Sequence, residues 1–231
     1  MASETPASGP GPAAARLPGS STAPGPAVHQ PGSDGEHALQ HETGNAERAQ
    51  RFYDDQVMGH LNPAMRDFVR CQKMMFIATS DASGECDSSF RAGPPGFVHV
   101  IDECTVAWPE FRGNGVMASM GNLRENPHVG LLMVDFVRDT VGLHINGSAR
   151  IVPAADMKAA GFESDGAPAG RHAAYWVVVD VEEAYIHCSK HIPRLVEMDP
   201  ADAASVRRTK TADYFGAAAM VPLRCDIDEA S

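Results

Sequence analysis

The sequence predicts a mainly β protein assembled from antiparallel hairpins, with few helices. Three observations carry this. Apolar runs of strand length are joined by short turns containing Gly, Asp or Glu. The helical stretches are short and do not alternate with the strands. The tally of about six or seven strands, mostly in hairpins, points to a barrel rather than a parallel α/β sheet.

The elements follow in chain order. Residues 1–34 are rich in Pro, Gly, Ala and Ser and hold almost no large apolar side chains. Such a segment buries too little surface to offset its ordering entropy, so it reads as a disordered tail. "AERAQRFYDDQV" (46–57) reads as a helix. "NPAMRDFVRCQ" reads as a second, with Asn62 as cap and Pro63 at the first helical position. "MMFIATS" and "CDSSFR" flank the turn "DASGE" as a hairpin, and "FVHVI" and "CTVAW" flank "DE" as another. Residues 115–126 read as an amphipathic helix with Val116, Met120 and Leu123 on one face, ended by Pro127. "HVGLLMVDF" and "GLHINGSARIV" are longer strands, "AADMKAAG" reads as a helix, and "YWVVVDVEEAYIH" is the last strand before a polar tail.

Composition excludes several classes. The 231 residues, 43% hydrophobic and 21% charged, suit one domain of ordinary size with spare polypeptide. A formal charge of −11 disfavours nucleic acid as a partner, although local donors can still hold a small anion. No apolar run approaches the roughly 18–20 residues of a membrane span. No cationic start followed by an apolar core marks a secretory signal. The five cysteines are scattered without a C-x-x-C, which fits a reducing, cytoplasmic setting better than a disulfide framework or zinc knuckle. Without a secretory signal, Asn146-Gly147-Ser148 reads as a chance sequon.

The stretch "PEFRGNGVMASMGNLRENP" holds the main functional signal. Gly113-Asn114-Gly115-Val116-Met117-Ala118 fits G-x-G-x-x-G/A, and Asp135 follows Gly115 by about 20 positions, as in a dinucleotide fingerprint. Against that, Pro109 to Arg112 separate the first glycine from the preceding strand, the helix is short, and the neighbouring segments are hairpins rather than βαβ units. Two other readings stand: a glycine-rich turn that merely starts a helix, and a phosphate site on a different fold. In the last, the helix N-terminus presents N–H groups to an anion, Ser119 adds a hydroxyl, and Arg112 and Arg91 add charge-assisted bonds.

The segments "FIATSDASGECDSSFRAGPPGFV", "VAWPEFRGNGVMASMGNLRENPHVGLLMVDF" and "GLHINGSARIV" resemble the pyridoxamine 5′-phosphate oxidase-like family of FMN-binding split β-barrels. The likeness runs from about Gly35 to about Arg194. It implies a domain over 35–198, a polar tail over 199–231, and a homodimeric six-stranded antiparallel split barrel with FMN at the dimer interface. Carried onto this chain, Arg91 would hold the phosphate from the second strand. Arg112, Gly113, Asn114 and Ser119 would hold it from the turn and helix after the fourth. Trp108 and Pro109 would lie beside the isoalloxazine edge, and Lys190, after the last strand, could reach phosphate or an anionic substrate. Glu110 in the same turn would have to point away from a phosphate.

The chain departs from the oxidases of that family. Ala118-Ser119 stands where they offer a basic pair, and their C-terminal Arg/His segment has no clear counterpart here. The resemblance therefore implies a flavin reductase-like branch rather than vitamin B6 oxidation: an FMN-dependent oxidoreductase, reduced by NAD(P)H or a reductase partner, acting on a small organic substrate. The other readings are a non-catalytic flavin or haem carrier or sensor, and a deazaflavin-dependent reductase. No catalytic side chain is named, because hydride chemistry belongs to the cofactor.

Remaining candidates are weaker. His187 and His191 have the spacing of two metal ligands on a helix, but no third ligand is near in sequence and Ile192-Pro193 would curtail a helix. No metal is therefore expected. Lys190 and Arg194 in that segment either reach an anion or belong to a solvated terminus. His144 faces opposite to Leu143 and Ile145, Asp135 reads as a strand-end residue, and Cys86 and Cys104 read as packed thiols on strands.

Overall fold

The computed structural model describes residues 31–163, 172–199 and 201–202. Most of the Pro/Gly/Ala-rich segment, 1–30, and most of the C-terminal tail, 203–231, lie outside the described residues. The chain divides into two units, 1–194 and 195–231. Every element below belongs to the first. In the second, the Asp199 carboxylate accepts from the Ala201 N–H at 2.9 Å.

Three helices come first: α1 (Asp34–Glu42), α2 (Ala46–Gln56) and α3 (Pro63–Cys71). α1 lies where a tail was expected to end. Its signal is the capping box Ser33-x-x-Glu36, in which the Ser33 hydroxyl accepts from the Glu36 N–H at 3.2 Å. α3 is capped as its sequence predicts, with the Asn62 side chain accepting from the Met65 N–H at 2.9 Å.

The rest is β1 (Met74–Ser80), β2 (Cys86–Ala92), β3 (His99–Val100), β4 (Thr105–Glu110), α4 (Ala118–Glu125), β5 (His128–Asp135), β6 (Val141–Pro153), α5 (Ala154–Ala159) and β7 (Tyr175–His187). All strand pairs are antiparallel, in one sheet ordered β2-β1-β5-β6-β7-β4-β3. The sheet has seven strands where six were expected. The strand tally from the sequence allows that larger number; what differs is β3, only two residues long where "FVHVI" reads as a full strand, because "GPPGF" holds Phe97 in a turn (Phe97 N–H to Pro94 carbonyl, 3.0 Å) and delays extended pairing until His99.

The sheet is rolled. Five strand spacings would separate β2 from β4 by about 24 Å in a flat ladder. Yet Arg91 on β2 and Glu110 on β4 meet at 2.8 Å. The concave face is filled by Met75, Ile77, Val106, Trp108, Leu131, Met133, Ile145, Val177 and Val179, with Leu61, Val69, Met120 and Leu123 closing it from the helical side. A second cluster of Ala107, Val152, Met157, Trp176 and Val178 packs under α5. β7 is therefore apolar on both faces over its first half, which explains its unbroken "YWVVV".

α4 begins at Ala118 rather than at 115. Gly113, Gly115 and Met117 take positive φ (53°, 88° and 59°), so the turn runs three residues further than periodicity predicts. Val116 is left 72% exposed, while Met120 and Leu123 are buried as expected. Cys86 and Cys104 are exposed rather than packed: Cys86 is the first residue of the edge strand β2 and Cys104 precedes β4. Burial, then the neighbouring carboxylates of Asp102, Glu103 and Asp180, raise the Cys104 thiol pKa.

Candidate functional site

Alternation along β2 decides which side chains enter the rolled sheet. Asp87, Ser89 and Arg91 are half-buried on one face, while Cys86, Ser88, Phe90 and Ala92 are exposed on the other. The inward face meets α4 and β4 in two polar networks. In the first, the buried Glu110 Oε1 accepts from Arg91 Nε at 2.8 Å and from Trp108 Nε1 at 2.8 Å. Arg91 Nη1 donates to the Phe90 carbonyl at 3.1 Å, and Nη2 has no hydrogen bond among the described residues. In the second, the Ser119 hydroxyl lies 3.0 Å from both Asp87 Oδ2 and Ser89 Oγ, and Ser89 donates to Asp87 at 2.8 Å.

Two further bonds fix α4 against β1. Asn122 donates to Thr79 Oγ1 at 3.1 Å and Asn126 to Ser80 Oγ at 2.9 Å. The N-cap of α4 is Met117 in the left-handed region, with no side-chain cap bond. Its first-turn N–H groups thus keep their positive end uncapped by a side chain.

The expected site residues fall into four groups. Arg91 lies on the inward face of β2, and Ser119 of α4 meets that same face through Ser89 and Asp87. Trp108 is fully buried with its indole in the core, so only its backbone is offered to a ligand. Beyond Ala107, β4 has no strand on its β3 side among the described residues, leaving that edge of Trp108, Pro109 and Glu110 without a ladder. Arg112, Gly113 and Asn114 lie exposed in the turn before α4, where Gly115 N–H bonds the Arg112 carbonyl at 3.0 Å and Asn114 Oδ1 accepts from Val116 N–H at 3.0 Å. Lys190 is exposed after β7, where its N–H donates to Cys188 Sγ. Arg194 bonds the Arg138 carbonyl in the β5–β6 turn at 3.1 Å.

The reading of a fingerprint glycine turn on a parallel sheet is overturned by the topology: β4 and β5 are not neighbours, and among the described residues every strand pair is antiparallel. Asp135, its acidic residue, is a turn anchor. It ends β5 and accepts from the N–H groups of Val137, Arg138 and Asp139 at 2.9, 3.0 and 3.2 Å. Burial raises its carboxyl, but these N–H groups and the Arg138 charge outweigh that and leave its pKa lowered.

His187 does not pair with His191. His187 ends β7, and His191 sits in a turn at φ 73°. The partner of His187 is His144 on β6, with Nδ1 and Nε2 2.9 Å apart. Gly142 makes this possible, because a Cβ there would overlap the His187 side chain and the Met133 carbonyl. Tyr185 stacks on His144 with centroids 4.7 Å apart. Burial, then the His187 charge, lower the His144 pKa. Among the described residues no group of three or more His, Cys, Asp and Glu is arranged to hold a metal.

The family model described as pyridoxamine 5′-phosphate oxidase matches residues 61–188, more than half of the chain. The chain belongs to the pyridoxamine 5′-phosphate oxidase family. The matched span runs from the residue before the Asn62 cap to the residue after β7, so it takes in both polar networks. Solved structures similar to this chain include HupZ of Group A Streptococcus (20% identity, 55% of this chain and 93% of that one, TM-score 0.40). They also include a candidate pyridoxamine 5′-phosphate oxidase of Lactobacillus delbrueckii (17%, 55% and 95%, 0.40). A third is HutZ, the haem storage protein of Vibrio cholerae (17%, 55% and 93%, 0.35). No curated protein matches. No helix among the described residues is long and apolar enough to cross a membrane.

Glu110, Asp87 and Ser89 were not legible as site residues. Glu110 reads as a liability beside a phosphate until its side chain is seen turned under Arg91. The period-2 pattern of "CDSSFR" was the available signal for Asp87 and Ser89, since it puts both on the face of Arg91.

Proposed function

We infer that this family member binds FMN at the mouth of the rolled sheet and works as an FMN-dependent oxidoreductase on a small organic substrate. The observation that supports it best is Arg91, a half-buried guanidinium whose Nη2 has no hydrogen bond among the described residues, on the same inward face of β2 as Ser89, which Ser119 of α4 contacts; α4 has no side-chain cap at its N-terminus. A guanidinium together with helical N–H groups suits a phosphate monoester. The residues fit that group on two conditions: the Asp87 carboxylate, 3.0 Å from the Ser119 hydroxyl, has to stay off the phosphate because two anions in contact repel, and the Ser119 hydroxyl has to be released. Ser119 already engages Asp87 and Ser89, so its hydroxyl reaches a phosphate only by exchanging one of those bonds.

FMN, when bound, supplies the hydride and electron chemistry; the protein supplies the rest. Arg91 binds phosphate, the unpaired edge of β4 from Trp108 to Glu110 offers backbone groups to a flat ring system, and the buried indole of Trp108 backs that edge and keeps water out. A homodimer, with NAD(P)H or a reductase as electron donor, completes the proposal.

The test is the visible spectrum of the protein as purified from cells, with the released cofactor identified by mass. Flavin bands and the mass of FMN, bleached by NAD(P)H without oxygen and followed by turnover, support the reading. A Soret band, a deazaflavin mass, or a colourless protein that refuses added FMN overturns it.

A further inference from the structure

We propose that Glu110 is a positioning residue that aims Arg91 at the phosphate of the bound ligand, an inference that rests on the FMN reading above. The pair is not a product of strand pairing. β2 and β4 stand first and sixth in the sheet order, and their side chains meet only because the sheet rolls. Glu110 is 6% exposed and anchored from the core side by Trp108, itself fully buried. Its rotamer is therefore set by the core rather than by solvent.

The edge of the guanidinium that Glu110 occupies matters more than the charge it brings. Arg91 has a stem-side donor, Nε, and two terminal donors. Glu110 takes Nε at 2.8 Å, and the Phe90 carbonyl takes one bond from Nη1. That stops rotation of the guanidinium about its stem and leaves Nη2 free to donate, with Nη1 beside it. A planar fork held this way loses little freedom on accepting an oxyanion. A carboxylate that merely neutralised Arg91 could sit anywhere around the fork. One held by Trp108 on the stem side fixes direction.

The two roles separate by substitution. Glu110→Asp keeps the charge but withdraws the carboxylate by one methylene, beyond reach of Trp108 Nε1 and Arg91 Nε together. Glu110→Gln removes the charge but keeps an oxygen at full reach. Affinities for FMN and for riboflavin, which lacks the phosphate, are measured by flavin fluorescence on the full chain, with circular dichroism as the check on folding.

Positioning predicts that Glu110→Asp lowers the FMN-to-riboflavin affinity ratio about tenfold or more, the size of a lost charged hydrogen bond. It also predicts that Glu110→Gln keeps the ratio within about threefold. An equal loss for both flavins in Glu110→Asp means a structural role and overturns the inference. So does an unchanged ratio in that variant, or a rise of tenfold or more in Glu110→Gln, which would make Glu110 an opponent of the phosphate. Should Glu110→Asp not fold, Trp108→Phe, which removes the indole donor and frees the carboxylate, must lower the ratio in its place; an unchanged ratio there overturns the inference equally. A wild-type protein that takes neither flavin overturns the FMN reading, and this inference with it; one that holds FMN while the variants fail these expectations overturns the inference alone.

Discussion

Replacing Arg91 with alanine should destabilise the protein even without ligand. Glu110 is 6% exposed and Arg91 23%, so the pair sits between two measured regimes. Breaking a fully buried pair costs about 3–5 kcal/mol, because one charge is left uncompensated. An exposed pair contributes roughly 0–1 kcal/mol. The carboxylate, which is the group left behind, is the more buried member, and Trp108 Nε1 still serves it. About 2–3 kcal/mol follows, discounted from the buried value for the exposure of Arg91 and the surviving bond. At roughly 2–4 °C per kcal/mol for a domain of this size, the midpoint should fall by about 4–12 °C. The assay is thermal and urea unfolding of the ligand-free protein, with Arg91→Ala/Glu110→Gln as the partner variant. The double variant should recover more than half of the loss, since it removes the orphaned charge. Arg91→Ala as stable as wild type, or a double variant no better than the single one, would refute the view that this ion pair spans β2 and β4.

Three further outcomes follow from local geometry. Gly147→Ala would drive a Cβ into the Asp180 carbonyl across the bulge in the β6–β7 ladder, and an overpacking cost of about 1–3 kcal/mol or more should appear in urea unfolding; a neutral result would mean the bulge relaxes. His144 has a lowered pKa in the folded state, so the unfolded chain binds more protons between that value and the ordinary one near 6.5, and stability should decline as pH falls through this window. His144→Phe, which keeps a ring against Tyr185, should flatten that decline, and an unchanged pH profile would place its origin elsewhere. Asp135→Ala removes the acceptor for three N–H groups and should cost about 1 kcal/mol at pH 7; because the native carboxyl is lowered, the wild-type advantage should vanish only as pH drops through its folded value, which unfolding at successive acid pH values would show.

The strands were legible in the sequence because their signal is local. Runs of strand length between turn residues marked β1, β2, β4, β5, β6 and β7, and the alternation in "CDSSFR" and the unbroken "YWVVV" agree with the faces that the structure buries. The Asn62-Pro63 cap and the helix-ending Pro127 were readable for the same reason: each acts on its own backbone or on neighbours within one turn. Arg91 and Ser119 could be proposed as partners from the family resemblance, and alternation puts Asp87 and Ser89 on the face of Arg91; that Ser119 of α4 meets those two is a tertiary contact. What no local pattern carries is which distant side chains meet. Glu110 looks like an obstacle to phosphate in the chain and becomes the holder of Arg91 only when the sheet rolls and brings β4 across to β2. His187 looks like the partner of His191 at helical spacing, yet the segment is strand and turn, and the β6–β7 register together with the bare Cα of Gly142 gives it His144 instead. Sequence by itself determined most of the strands, the capped helix after Asn62 and the family resemblance, but not α1, the start of α4 or the exposure of Cys86 and Cys104; the roll of the sheet and the strand registers decided the ion pair, the histidine pair and the direction of Arg91, because those depend on contacts between residues far apart in the chain.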